Sequence, residues 1–231
     1  MSRTPDLPVA VVGATGRLGR AVVAACERAG VPVVTTANST GWTVGDRAPG
    51  VVIDAARPAA LDAVADYCAR TGAALLSCVS GRPPNAEQTF AVLAQRVPVM
   101  IAANLSPLHW VQARAAELAA RLAVALVPDA EFTVLDRHPT TKLDAPSATA
   151  KNLAAVLPDG AAVLAQRYGM PVSDHRVVIS SAGESWELSH RVRDLCGPAV
   201  AALSLAGWLE RSTPGRYTAA EAFAELAGAP G

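Results

Sequence analysis

The segment His138-Pro139-Thr140-Thr141-Lys142-Leu143-Asp144-Ala145-Pro146-Ser147-Ala148-Thr149-Ala150 brings a proton carrier, a cation and a helix start close together in the chain. His138 follows a strand-like run, Glu131 to Arg137, and its imidazole exchanges protons near neutral pH, which makes it a candidate proton donor. Lys142 falls in the loop that follows. Pro146 suits the first turn of a helix running to Val156, and such a start sets the N–H groups of Ser147, Ala148 and Thr149 at its positive end, beside two hydroxyls. A carboxylate held by an ammonium and by helix N–H groups is the chemistry this spacing suits. A surface loop with a solvated lysine has the same residue types, and the segment alone leaves both readings open.

A second group is Gly13-Ala14-Thr15-Gly16-Arg17-Leu18-Gly19, which follows the apolar run Val9 to Val12 and precedes a helical pattern through Arg20 to Ala29. A tight turn, a glycine where a pyrophosphate approaches the backbone, a third glycine for close helix packing and a positive helix end together suit a dinucleotide. The adenosine ribose would be read after the next strand, at Thr35-Thr36-Ala37-Asn38-Ser39-Thr40. No carboxylate stands there to repel a 2′-phosphate, and Arg17 lies in the turn, so the stretch favours NADPH over NADH.

The elements that must carry these residues alternate in the first half of the chain. Strands are predicted at Val9 to Val12, Val31 to Thr35, Val51 to Asp54, Ala73 to Ser77 and Val97 to Ala102, with a polar loop from Thr36 to Gly50. Helices are predicted at Pro58 to Arg70 and Asn85 to Arg96. That alternation predicts a parallel sheet with crossover helices. After Asn104 comes a long alanine-rich helix, Trp110 to Ala123, and then strands at Val163 to Tyr168, Arg176 to Ser181 and Ser185 to Val192, the last two joined by a Gly-containing turn and so antiparallel. Helices at Pro198 to Leu209 and Thr218 to Leu226 close the chain. The fold class is α/β, a Rossmann-type parallel sheet followed by a second, α+β module.

The 231 residues carry 20 basic and 20 acidic groups, without a long run of either sign, which excludes duplex nucleic acid and anionic membrane surfaces as partners. No leader is expected at Met1 to Pro8, and apolar stretches such as Leu122 to Val127 fall far short of the roughly 20 residues a bilayer span needs. Cys26, Cys68, Cys78 and Cys196 show no CxxC spacing and are expected to be buried small hydrophobes of a reducing cytoplasm. Lys142 and Lys151 are the only lysines; Lys151 reads as a solvated helix residue. His109, His175 and His190 read as structural or surface residues, and no cluster has metal-ligand spacing.

The two glycine- and histidine-bearing segments, with Asp54-Ala55-Ala56-Arg57-Pro58, Ala102-Ala103-Asn104-Leu105-Ser106 and Glu184 to His190, resemble the 4-hydroxy-tetrahydrodipicolinate (dihydrodipicolinate) reductase family of lysine and diaminopimelate biosynthesis. The closest match is to that family's pattern H-H-x-x-K-x-D-A-P-S-G-T-A, at His138 to Ala150. The resemblance implies a dinucleotide-binding domain over residues 1–104, with the C-terminal helices of about 205–231 packing back on it, and a substrate and oligomerisation domain over 105–204. It implies hydride transfer from NADPH or NADH to a cyclic imine dicarboxylate. His138 would be the general acid, Lys142 the carboxylate partner and a possible second proton donor, and Ser147, Ala148 and Thr149 the holders of a substrate carboxylate. Gly13 through Gly19, Asn38, Ala55, Gly81, Ala102 and Asn104 would line the cofactor. A cytoplasmic homotetramer paired through the second domain's sheet is implied as well.

The chain departs from the pattern at several places. Pro139 stands for the second histidine, Ala148 for a glycine, Ala55-Ala56 for Phe-Thr and Cys78-Val79-Ser80-Gly81 for Gly-Thr-Thr-Gly, and the stretch from Arg191 to Ala202 does not follow the family. Pro139 removes an imidazole donor, and one hydrogen bond to a charged group contributes about 1.5 to 3 kcal/mol. A divergent member acting on another cyclic imine or conjugated carboxylate, or a non-catalytic dinucleotide sensor, is therefore weighed beside the family's own reaction. A short-chain dehydrogenase is disfavoured, because Tyr67, Tyr168 and Tyr217 have no lysine four residues on.

Overall fold

Val9–Val12 (β1), Val51–Asp54 (β4) and Ala74–Ser77 (β5) are buried at every position, as strands covered on both faces must be, and their apolar runs show no alternation. The computed structural model describes residues 7–169 and 173–228, in two units: residues 7–105 with 195–228, and residues 106–169 with 173–194.

In the first unit, α1 (Arg17–Ala29) follows β1, and β2 (Val33–Asn38) pairs antiparallel with β3 (Gly41–Val44), so part of the expected Thr36 to Gly50 loop is a hairpin. After β4 come α2 (Leu61–Thr71), β5, α3 (Ala86–Leu93) and β6 (Pro98–Ile101). Leu61, Val64, Cys68, Phe90 and Leu93 from α2 and α3 pack with Ala10, Val12, Val52, Leu75 and Val99 from the sheet. The chain returns to this unit with α6 (Cys196–Glu210), β11 (Gly215–Thr218) and α7 (Ala219–Leu226), whose start is fixed by a capping box between Thr218 and Glu221. α6 packs on α1 and on β4, β5 and β6, and its apolar residues are buried around most of its circumference. The strand order is β11-β6-β5-β4-β1-β2-β3, parallel throughout except at β3.

The second unit packs α4 (Pro107–Leu126) and α5 (Ala148–Ala154) on one face of a sheet ordered β10-β9-β7-β8. Its strands are β7 (Glu131–His138), β8 (Ala162–Arg167), β9 (Ser173–Ser180) and β10 (Ser185–Val192). β9 is antiparallel to both β7 and β10, while β8 joins β7 in parallel through α5. Ala116, Ala120, Val134, Ala150, Leu153 and Val177 form the core beneath the helices.

Four expectations are corrected by these elements. β11 lies between the two closing helices, where no strand was predicted, because Gly215-Arg216-Tyr217-Thr218 is too short and too polar to show a strand pattern. α1 begins at Arg17 instead of Arg20. α6 lies wholly in the first unit, so the second ends at Asp194 and not at residue 204. Cys26, Cys68 and Cys78 are buried, but Cys196 is exposed at the start of α6.

Candidate active site

The order of the first sheet reverses beside β1, and a crevice at the carboxyl ends of strands at such a point is where α/β sheets bind ligands. Gly13 leaves β1 with φ +79°, a region that favours glycine, and its N–H and that of Ala14 both donate to the Ala37 carbonyl, at 2.8 and 3.1 Å. A Cβ on Gly13 would lie 2.5 Å from the Ala55 carbonyl oxygen, and one on Gly19 would lie 2.1 Å from the Gly13 carbonyl oxygen. Both positions therefore require glycine. Gly16 caps α1 without any side-chain acceptor, and Thr15, Gly16 and Arg17 are exposed at the positive end of the helix. The residues present fit the pyrophosphate of a dinucleotide.

The other predicted cofactor residues follow the same sheet edge. The N–H of Ala55 donates to the Val12 carbonyl at 2.9 Å and that of Ala102 to the Ser77 carbonyl at 2.8 Å, so each continues the ladder just past its strand. Asn38 ends β2, and its Oδ1 accepts from the N–H and the hydroxyl of Thr40, at 2.8 and 2.6 Å, shaping the hairpin turn. Gly81 is exposed beside Pro58, and Asn104 is half-buried after β6.

Asp54, at the end of β4, is a buried acid that sequence reasoning gave no role. Burial raises its carboxyl to about 6, although the Ala56 N–H donates to it at 3.0 Å. Burial, with the Asp54 charge behind it, also pushes the Cys68 thiol up to about 12. Because the folded state holds this proton more tightly than the unfolded chain, the stability it contributes is whole below about pH 4 and declines as pH rises through 6. Asp54→Asn is expected to stabilise the protein by up to about 3 kcal/mol at pH 8 and to change little at pH 4. Urea unfolding at the two pH values reads the difference; an equal effect at both would show that the acid is not responsible.

In the second unit, residues 132, 134, 136 and 138 of β7 share the face toward the helices, so Asp136 and His138 point the same way and both are buried. His138 Nε2 lies 2.9 Å from Asp136 Oδ1. Ser147 is the N-cap of α5: its hydroxyl accepts from the Ala150 N–H and donates to Asp136 Oδ1 at 2.9 Å, while its own N–H donates to Asp136 Oδ2, also at 2.9 Å. Arg167 Nη2 reaches Asp136 Oδ2 at 3.1 Å and also bonds the Asp144 carbonyl. Burial alone would raise the Asp136 carboxyl, but donors from His138, His175 and Ser147 hold it well below the ordinary carboxylate range.

Two readings of residues 138–150 change accordingly. Pro146 precedes the cap, outside the helix, and α5 starts at Ala148. The anion facing Ser147 is the protein's own Asp136, so Ser147 is committed to that carboxylate, with Ala148 exposed and Thr149 half-buried in the first turn. Lys142 is ion-paired with Asp144 at 2.8 Å and holds that carboxyl below its usual range.

The histidines that were read as unrelated gather in this unit. Register sets Asp136 opposite His175 and His175 opposite His190, forming a row across β7, β9 and β10. His109 of α4 sits over that row, its ring centroid 6.0 Å from that of His175 and 6.1 Å from that of His190. All four histidines of the chain are buried here. Burial, aided by the charge of His175, pushes His109 down to about 4, and burial lowers His190 in the same way. Donor atoms of Asp136, His138 and His175 lie within 4.8 Å of one another, near enough for a metal ion. Arg167 already matches the carboxylate's charge and Ser147 occupies it from the other side, so the cluster reads as hydrogen-bonded.

Two family models match the chain: "Dihydrodipicolinate reductase, N-terminus" over residues 7–105 and "Dihydrodipicolinate reductase, C-terminus" over 111–223. The 4-hydroxy-tetrahydrodipicolinate reductase of Acidiphilium cryptum (strain JF-5) is 32% identical, covering 92% of this chain and 95% of its own. That of Gluconobacter oxydans (strain 621H) is also 32% identical, covering 93% and 96%. Among solved structures, the dipicolinate-bound dihydrodipicolinate reductase from Paenisporosarcina sp. TG-14 superposes with a TM-score of 0.67 at 16% identity, covering 92% of this chain and 97% of that one. Matched in both halves and along nearly its whole length, the chain belongs to the dihydrodipicolinate reductase family of NAD(P)H-dependent oxidoreductases.

Proposed function

We propose that this protein reduces 4-hydroxy-tetrahydrodipicolinate, or the dihydrodipicolinate formed from it, to tetrahydrodipicolinate. The observation that carries this reading is the full-length match to reductases of that name, with His138 and Lys142 retained. Reduced nicotinamide, when bound, supplies the hydride. Gly13 to Gly19 hold the pyrophosphate, and Asn38, Ala55, Gly81, Ala102 and Asn104 line the rest of the cofactor. Lys142 exchanges Asp144 for a substrate carboxylate, and the first turn of α5 at Ala148 and Thr149 assists it. His138 supplies the proton, kept available by the ionised Asp136 at 2.9 Å. Ser147 contributes by holding Asp136.

Absorbance of the reduced cofactor, followed with freshly generated substrate, tests the proposal: turnover is expected, with a KM for NADPH about tenfold below that for NADH, in line with the neutral Thr35 to Thr40 stretch. Cofactor binding without turnover would favour a different imine or a sensing role.

We further propose a homotetramer built on the sheet face of the second unit that its helices leave uncovered, where Leu164 is exposed and Arg137 and Arg176 pair with Asp174 and Glu187. Light scattering reads the mass; a monomer would refute it. A reducing cytoplasm suits the buried cysteines, and no helix among the described residues is long and apolar enough to cross a membrane.

A further inference from the structure

His175 lies far from His138 in sequence, yet the pairing of β9 with β7 sets its imidazole against that of His138. The two Nε2 atoms are 3.3 Å apart, and the rings meet edge to face with centroids 5.2 Å apart. His175 Nε2 is also 3.3 Å from Asp136 Oδ1 and 3.3 Å from the Ser147 hydroxyl. One buried ring therefore touches the proposed proton donor, its carboxylate partner and the cap of α5. Its Nδ1 is buried and has no hydrogen-bond partner among the described residues, where the ring's polar contacts are made through Nε2. Pro139, the neighbour of His138 along the chain, has no N–H donor to offer in its place.

We propose that His175 is a positioning residue of the reduction, locking the His138 ring against Asp136 and sharing that carboxylate with it. This rests on the proposed role of His138. Sharing has a chemical consequence as well as a steric one. A carboxylate oxygen that accepts from His175 and from Ser147 gives less of its charge to His138 than it would in an isolated Asp–His pair. The groups facing His175 are Asp136 and His138 on β7, His190 on β10, His109 on α4 and Ser147 at the start of α5, with Arg167 on β8 behind the carboxylate. Among these Asp136 alone is anionic, so the loss of His175 acts on His138 chiefly through it.

The test compares His175→Asn with His175→Gln in the full-length protein. Glutamine carries its amide nitrogen about where the histidine Nε2 lies, whereas asparagine stops short of Asp136. His175→Asn is expected to lower kcat about tenfold or more and to leave the KM for the cofactor unchanged. His175→Gln should restore most of the rate. Nitrogen-15 NMR of the histidine rings gives a readout independent of turnover: the His138 Nε2 signal should move in His175→Asn and return toward the parent position in His175→Gln. Identical rates in the two variants, or a His138 ring signal unmoved in His175→Asn, would overturn the proposal. If the parent fails to turn over the proposed substrate, the substrate assignment falls, while the His138 ring signal still decides the part played by His175.

Discussion

His138→Ala should lower kcat by about a hundredfold to ten-thousandfold, the range general acids contribute, while calorimetry shows cofactor binding as in the parent protein. Lys142→Ala should act differently. In the proposed mechanism its ammonium meets substrate and not cofactor, so the main expected loss is in kcat/KM, through a raised KM, and the pairing with Asp144 at 2.8 Å disappears with it. Asp144 is more than half exposed, so leaving it unpaired costs little stability. The contrast between a kcat effect and a KM effect separates proton supply from carboxylate binding. Full activity in both variants would remove these residues from the mechanism.

The second large effect concerns stability. Asp136 is fully buried and binds Arg167, His138, His175 and both polar groups of Ser147. Asp136→Ala is expected to destabilise the protein by about 3 to 5 kcal/mol, because it leaves a guanidinium without its carboxylate and a helix cap without its acceptor. Adding Arg167→Ala to Asp136→Ala should cost little more, and urea unfolding of the single and double variants measures that coupling. The pH dependence has a definite sign. The folded carboxyl lies below its unfolded value, so its contribution is whole above about pH 4 and is lost on acidification. Near pH 2 the parent and Asp136→Ala should therefore differ much less than at pH 7; an equal gap at both would refute the assignment.

Much of the first unit was legible because its signals are local. An apolar run, a glycine turn and a helical period lie within Val9 to Ala29, and Gly13 and Gly19 are confined by backbone contacts that only their spacing reports. His138 and Lys142 were readable as candidates for the same reason, since both lie in one segment. The rest of the site was not. Asp136 was passed over although it shares a face with His138 two residues on, and that period was the available signal. His175 falls outside the strand expected from Arg176, whereas β9 starts at Ser173, and alternation with Val177 and Ile179 turns it inward. No local pattern places Asp136 opposite His175 or His175 opposite His190. Those neighbours are set by strand register, a tertiary property.

The return of the chain to its first unit bears on how the protein is made. Ser106–Asp194 is an insertion, and α6 and β11 complete the earlier sheet only after it. A chain emerging from the ribosome would present β4, β5 and β6 without α6, and β6 with an unpaired edge, until the whole second unit had been synthesised. The nucleotide-binding half therefore starts first and finishes last, and truncation before Cys196 would leave it with an open apolar face.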